Sequence, residues 1–150
     1  MSESHFQSMT PAAPLLEGET VLTSITPSKQ AYWRDHAWMA ALAMGLGMAV
    51  LYFMGNPHVW TGAIGGLFAI GVRAFYLASD ELKARWDITD QRLLGPGLRA
   101  MRLSEIQQVN TIFSAVQVVT TTGDKHLIKY QEDRNATKAL IERVKLGGRP

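Results

Sequence analysis

The chain has no cysteine, which excludes disulfides, thiolate metal sites and a cysteine nucleophile and leaves the redox compartment undecided. A second absence is local. Residues 36–72 contain no Asp, Glu, Lys or Arg, although 19% of the whole chain is charged. A water-exposed helix needs a polar face, so a charge-free run of 37 residues disfavours a fold built for water alone. Recognisable chemistry is also missing. There is no H-E-x-x-H, P-loop, G-x-S-x-G or dinucleotide fingerprint, and none of His5, His36, His58 and His126 has a second ligand at i+3 or i+4. Asp87 with Asp90, and Glu105 with Asp124, sit where turns and strand edges usually carry carboxylates. The expectation is a non-enzyme with no catalytic residue, no metal site and no cofactor.

The 150 residues fit one domain of ordinary size, and the 47% apolar content is average for a soluble protein. That average hides a segregation. A hydrocarbon core of about 30 Å takes about 20 helical residues, so the charge-free run is too long for one crossing and suits two. Gly55-Asn56-Pro57-His58 supplies a helix stop, a turn and a helix-starting proline. The reading is a transmembrane helix over 37–54, a turn over 55–58 and a second transmembrane helix over 59–78. Trp33, Trp38, Tyr52, Trp60 and Tyr76 fall near the ends, where amphipathic rings favour the interface. Lys29 and Arg34 precede the first span, Arg73, Lys83 and Arg85 flank the second, and the turn carries no basic residue. Both termini are therefore expected in the cytoplasm. A cleavable signal peptide fits poorly, because the apolar stretch begins late and a second span follows at once.

Ala37, Ala41, Gly45 and Ala49 recur every fourth residue in the first span, and Gly62 and Gly66 form G-x-x-x-G in the second. Small residues let helices approach closely in lipid, for closure of the hairpin or for dimerisation. Arg73 can snorkel to the headgroups on its long stem, or serve as a relay group.

Outside the membrane, residues 1–14 read as a flexible tail and 15–36 as a cytoplasmic lead-in whose residues 21–25 alternate like a strand. Residues 79–146 form a small cytoplasmic domain and 147–150 a C-terminal tail. In that domain a two-residue period marks strands over 86–89, 92–94, 98–103, 106–112, 115–121 and 125–130, with Gly95-Pro96-Gly97 and Thr122-Gly123-Asp124 as turns. From Asp133 the period becomes helical, with Ala136, Ala139, Leu140 and Val144 on one face. The expected architecture is a membrane α-helical hairpin plus a small antiparallel β domain covered by a C-terminal helix. An open sheet edge, with Gln117 and Thr120 as candidate edge positions, could take up a partner strand.

Lys83, Arg85, Arg92, Arg99 and Arg102 lie within one short stretch just after the second span. Near anionic lipid each such charge contributes about 1 kcal/mol, so they are candidate lipid-headgroup residues; a solvated face with positive-inside topology explains them equally well. Residues 79–150 carry a net +3, spread too thinly for nucleic acid.

Trp86-Asp87-Ile88-Thr89-Asp90-Gln91-Arg92-Leu93-Leu94-Gly95, Leu103-Ser104-Glu105-Ile106-Gln107-Gln108-Val109 and the Val-rich hairpin around Thr122-Gly123-Asp124 resemble the bacterial pleckstrin-homology-like domain of the YdbS/YdbT type. The lead-in Leu15-Leu16-Glu17-Gly18-Glu19-Thr20-Val21-Leu22 looks similar too, so the likeness covers about residues 15–146. It implies a PH-like fold and a non-catalytic adaptor or scaffold on the bacterial inner membrane, with a protein partner or a second copy bound. Anionic-lipid binding is the alternative. Members usually carry a longer stretch where this chain has only residues 110–114, which implies a reduced barrel. The lead-in and sheet also resemble the PuhB family of photosynthetic-complex assembly factors, which would imply an accessory role in a larger membrane complex; the third span of that family is missing here.

Overall fold

The structure is a computed structural model and describes residues 9–150. It divides into two compact units, one made of Lys29–Ser79 and the other of the segments on either side of it. The chain leaves the second unit once, forms the first, and returns.

The inserted unit is a helical hairpin. Lys29–Phe53 forms α1 and Trp60–Glu81 forms α2, both long and apolar enough to cross a membrane. In the most apolar window of each, only 11% and 6% of the residues are buried. A core helix of a soluble protein would bury most of that window, so the apolar surface of this hairpin is turned outward. α1 begins well before residue 37, because Tyr32 and His36 extend its buried face: the Tyr32 hydroxyl donates to the Ala74 carbonyl at 2.5 Å, and the His36 ring lies 4.1 Å from that of Tyr32. At the other end Gly55, at φ +72, closes α1 with the paired bonds of a Schellman turn, Asn56 N–H to the Leu51 carbonyl and Gly55 N–H to that of Tyr52.

The hairpin closes on glycine. A Cβ added to Gly47 would lie 2.5 Å from the Gly62 carbonyl oxygen, and one added to Gly66 would lie 2.5 Å from that of Ala43. Gly62 and Gly66 thus meet Ala43 and Gly47. Ala37, Ala41 and Gly45 do not take part: they are exposed, and nothing lies within 4 Å of a Cβ added to Gly45. Ala49 is half-buried. The contact face of α1 is set by Tyr32, His36, Ala40, Ala43 and Gly47, a spacing of three and four that follows the helix period, whereas a strict four-residue spacing drifts away from it.

Among the described residues the β unit contains seven strands. Val21–Ile25 (β1), Trp86–Thr89 (β2), Arg92–Leu94 (β3) and Ala100–Arg102 (β4) make one antiparallel sheet in sequence order. Ile106–Ile112 (β5), Ala115–Thr120 (β6) and Lys125–Ile128 (β7) make a second. The single sheet expected is therefore split, because the 3-10 turn Leu103–Glu105 bends the chain and interrupts the ladder between β4 and β5. Residues 110–112 belong to β5, and 113–114 make the turn into β6. Arg134–Lys145 forms α3, capped by the Asp133 carboxylate, which accepts from the Asn135 and Ala136 N–H groups at 3.0 Å. Its buried face is Thr137, Ile141 and Val144 with Leu140 beside them; Ala136 and Ala139 are exposed. Both sheets and α3 share one core, including Ile88, Leu93, Val116, Val118, Ile128 and Ile141.

The described part of the expected tail is held against this unit. Ala12 N–H donates to the Gly97 carbonyl at 2.8 Å and Arg85 N–H to that of Met9 at 2.9 Å. Residues 1–8 of that tail, with His5, lie outside the described residues.

Strand direction gives the β unit two ends. At the proximal end, where Ile25 pairs with Trp86, the chain departs for the hairpin and returns. The β3–β4 turn, the β5–β6 turn and the segment after β7 share it: Ser28 N–H bonds the Tyr130 carbonyl at 2.7 Å and Gln131 N–H that of Ser114 at 2.9 Å. The Thr89–Arg92 turn, Arg102 and the β6–β7 turn form the distal end.

Candidate functional site

Sequence order makes β1 and β7 the outer strands of their sheets, and a cavity of about 390 Å³ opens in the seam between them. Its wall carries Ile25, Trp86 and Leu127, with Glu81, Arg99, Lys129 and Gln131 as its polar groups. Trp86 is buried and Gly95 makes room for it: a Cβ there would lie 2.6 Å from the indole. Arg99 projects from the β3–β4 turn, which the Gly95 N–H to Arg99 carbonyl bond closes at 2.8 Å. Lys129 lies 3.7 Å from Glu81, an exposed pair that contributes little to stability. His126 stands edge-on to Trp86 at 6.3 Å. Burial holds its pKa below the ordinary value and the Arg99 charge pushes the same way, against a smaller upward pull from Asp124. The seam thus sets Arg99 and the Lys129–Glu81 pair beside an aromatic and aliphatic wall, a net charge of one cation.

At the distal end of the β unit, the lead-in is bolted to the sheet by charge. Arg92 Nε donates to both Glu19 carboxylate oxygens, at 3.1 and 3.0 Å, and its Nη2 donates to the Pro14 carbonyl at 2.9 Å. The Glu19 side chain is 0% exposed and that of Arg92 13%. Burial alone would raise the Glu19 pKa; the hydrogen bonds from Arg92, the Leu16 N–H and Thr89, with the Arg92 charge, outweigh it and hold the carboxyl below its usual value. At the proximal end the Arg85 guanidinium and the Ser24 hydroxyl hold the buried Asp87 carboxylate, at 3.1 and 2.7 Å.

The five basic residues expected to face lipid together are not brought together. Lys83, Arg85 and Arg99 lie at the proximal end, Arg85 engaged with Asp87. Arg92 and Arg102 are register partners across β3 and β4 at the distal end, and Arg92 is committed to Glu19. Gln117 and Thr120 are in β6, the central strand of its sheet, so the open edges belong to β1, β4, β5 and β7.

No family model, curated protein or solved structure matches this chain.

Of the histidines, His36 is buried with Nδ1 at 2.9 Å from the Tyr32 carbonyl oxygen, and His58 is exposed in the helix turn. Arg73 is exposed on α2. Among the described residues no group of three or more His, Asp or Glu is arranged to hold a metal ion. The seam went unseen in the sequence because its wall comes from β1, β2, β7 and the β3–β4 turn, distant stretches that only the fold assembles. Trp86 and Gly95 were the available signals, an aromatic opening one strand and a glycine after the next.

Proposed function

We propose that this chain is a non-catalytic adaptor of the bacterial inner membrane: α1 and α2 cross the bilayer, and a PH-like β unit on the cytoplasmic side docks a partner protein or a second copy along the β1–β7 seam. One observation carries the reading. An outward-facing apolar hairpin is spliced into the β1–β2 connection of a sheet, between the paired residues Ile25 and Trp86. A hairpin that crosses twice returns the chain to the side it left, as the pairing of β1 with β2 requires. The positive-inside distribution makes that side cytoplasmic. Resemblance to the YdbS/YdbT-type domain is supported by seven strands divided four and three with a C-terminal helix on their core. The edges of β1 and β7 leave backbone groups available for strand addition.

The test is photocrosslinking in intact membranes, with a benzophenone amino acid in place of Leu127 or Leu22. The adaptor reading predicts one discrete adduct from the seam strands and none from the same probe at Ser104. Adducts no different from those at Ser104 would overturn it.

Arg99 and Lys129 beside Trp86 favour a second reading, anionic-lipid headgroup binding in the same seam. It predicts phosphatidylglycerol retained on the detergent-extracted protein in native mass spectra and lost in the Arg99→Ala, Lys129→Ala double variant. Retention unchanged in that variant would sink it.

A further inference from the structure

Phe113 is 87% exposed, the highest value among the exposed large apolar side chains of the described residues. It opens the two-residue turn between β5 and β6 with φ +51, a left-handed conformation that favours glycine and is strained for a bulky side chain. The turn is nevertheless fixed. The Arg134 side chain donates to the Phe113 carbonyl, and the Gln131 N–H holds the Ser114 carbonyl at 2.9 Å. Ile112, the preceding residue, is exposed as well. A rigid turn therefore carries an aromatic ring that packs on nothing within its own unit.

Its place in the topology indicates what the ring meets. β5 runs toward the proximal end, so Phe113 lies at the end of the β unit from which the chain enters and leaves the hairpin. The bonded path is short: Ser28, the residue before α1, holds Tyr130, and the next residue, Gln131, holds the Phe113-Ser114 turn. Lys129, paired with Glu81 at 3.7 Å, and Arg134 flank this path, with the exposed Glu132 and Asp133 between them. An exposed aromatic beside an exposed isoleucine, on a turn rimmed by charges of both signs, is suited to the headgroup boundary of a bilayer.

We propose that the β5–β6 turn is a membrane-contact tip, with the Phe113 ring inserted at the boundary between headgroups and acyl chains of the bilayer that holds α1 and α2. This rests on the membrane reading above and adds a third point of attachment.

The absence of cysteine permits a direct test. Phe113→Cys, Ile112→Cys, Thr122→Cys and Ile64→Cys each carry an environment-sensitive fluorophore, with the full chain reconstituted in phosphatidylcholine–phosphatidylglycerol vesicles containing nitroxide lipids. Ile64 reports on the hairpin, where it is exposed on α2, and Thr122 on the distal end. Expected are a blue shift and loss of emission to a nitroxide near the headgroups at 113 and 112, no change at 122, and loss to a mid-bilayer nitroxide at 64. If 64 is quenched while 113 and 112 behave like 122, the tip is in water or against protein and the proposal falls with the membrane reading intact. An unquenched probe at 64 overturns both.

Discussion

The two units answer opposite demands with similar apolar residues. In the β unit, Ile88, Leu93, Val116 and Val118 are fully buried and the surface is charged; in the hairpin, Phe75, Tyr76 and Phe53 are each more than three-quarters exposed. In water the first arrangement gains free energy from burial. The second has no such drive within the chain, and its helices meet through glycines whose missing side chains let the backbones touch, as helices do in lipid. The comparison shows that solvent determines which residues form a unit's interior.

The largest effect expected follows from that contrast. Ile88→Ala empties a fully buried site and should cost the β unit about 3 kcal/mol, whereas Phe75→Ala on the hairpin should leave it within about 0.5 kcal/mol. Urea unfolding of the detergent-solubilised protein, followed by near-UV circular dichroism, measures both, and equal losses would break the comparison. Next comes the charge clamp. Glu19→Ala leaves the Arg92 guanidinium largely buried without its partner and should cost about 3 kcal/mol by the same assay; an unchanged midpoint would show that the lead-in is not part of the unit.

A smaller effect belongs to the hairpin. Gly66→Leu drives a side chain into the Ala43 backbone and should destabilise the helix pair by about 2 kcal/mol, read as a lower thermal midpoint in far-UV circular dichroism. Gly45→Leu, on the open face, should leave it unchanged. The reverse order would restore the face of Ala37, Ala41, Gly45 and Ala49 as the hairpin contact.

The smallest effect is that of pH, confined to the β unit. Both shifted groups are held below their ordinary values, 4.5 for Glu19 and 6.5 for His126, so the unfolded chain takes up protons first and stability falls with pH. The His126 contribution is complete above about pH 6.5 and fades as pH drops through the folded value. That of Glu19 is complete above about 4.5 and fades below it. His126→Gln should flatten the upper part of the stability profile and Glu19→Gln the lower; a profile unchanged in either variant contradicts that assignment.

Much of this architecture was legible because period reports environment. The two-residue alternation from Trp86 onward located the strands, the helical period after Asp133 located α3, and the charge-free run with Gly55-Asn56-Pro57-His58 located the hairpin. Pairing partners were less legible. Nothing local to Arg92 indicates that it is bound by Glu19, 73 positions earlier; in the sequence it reads as a surface cation like Arg99 and Arg102. Gln117 and Thr120 gave no sign that β6 lies between two neighbours, since an alternating strand reads the same at an edge or in the centre. At Phe113 the signal was an anomaly: a tight turn without Gly, Asn or Asp, with an aromatic in the left-handed position.

The central claim is that the hairpin crosses a bilayer twice and returns the chain to the sheet on the side it left. Single cysteines at Asn56 and Thr122 in sealed, oriented membrane vesicles, challenged with a membrane-impermeant maleimide from each side in turn, test it most directly. The account predicts that Asn56→Cys reacts only from the periplasmic face and Thr122→Cys only from the cytoplasmic face. Reaction of both from the same face would contradict it.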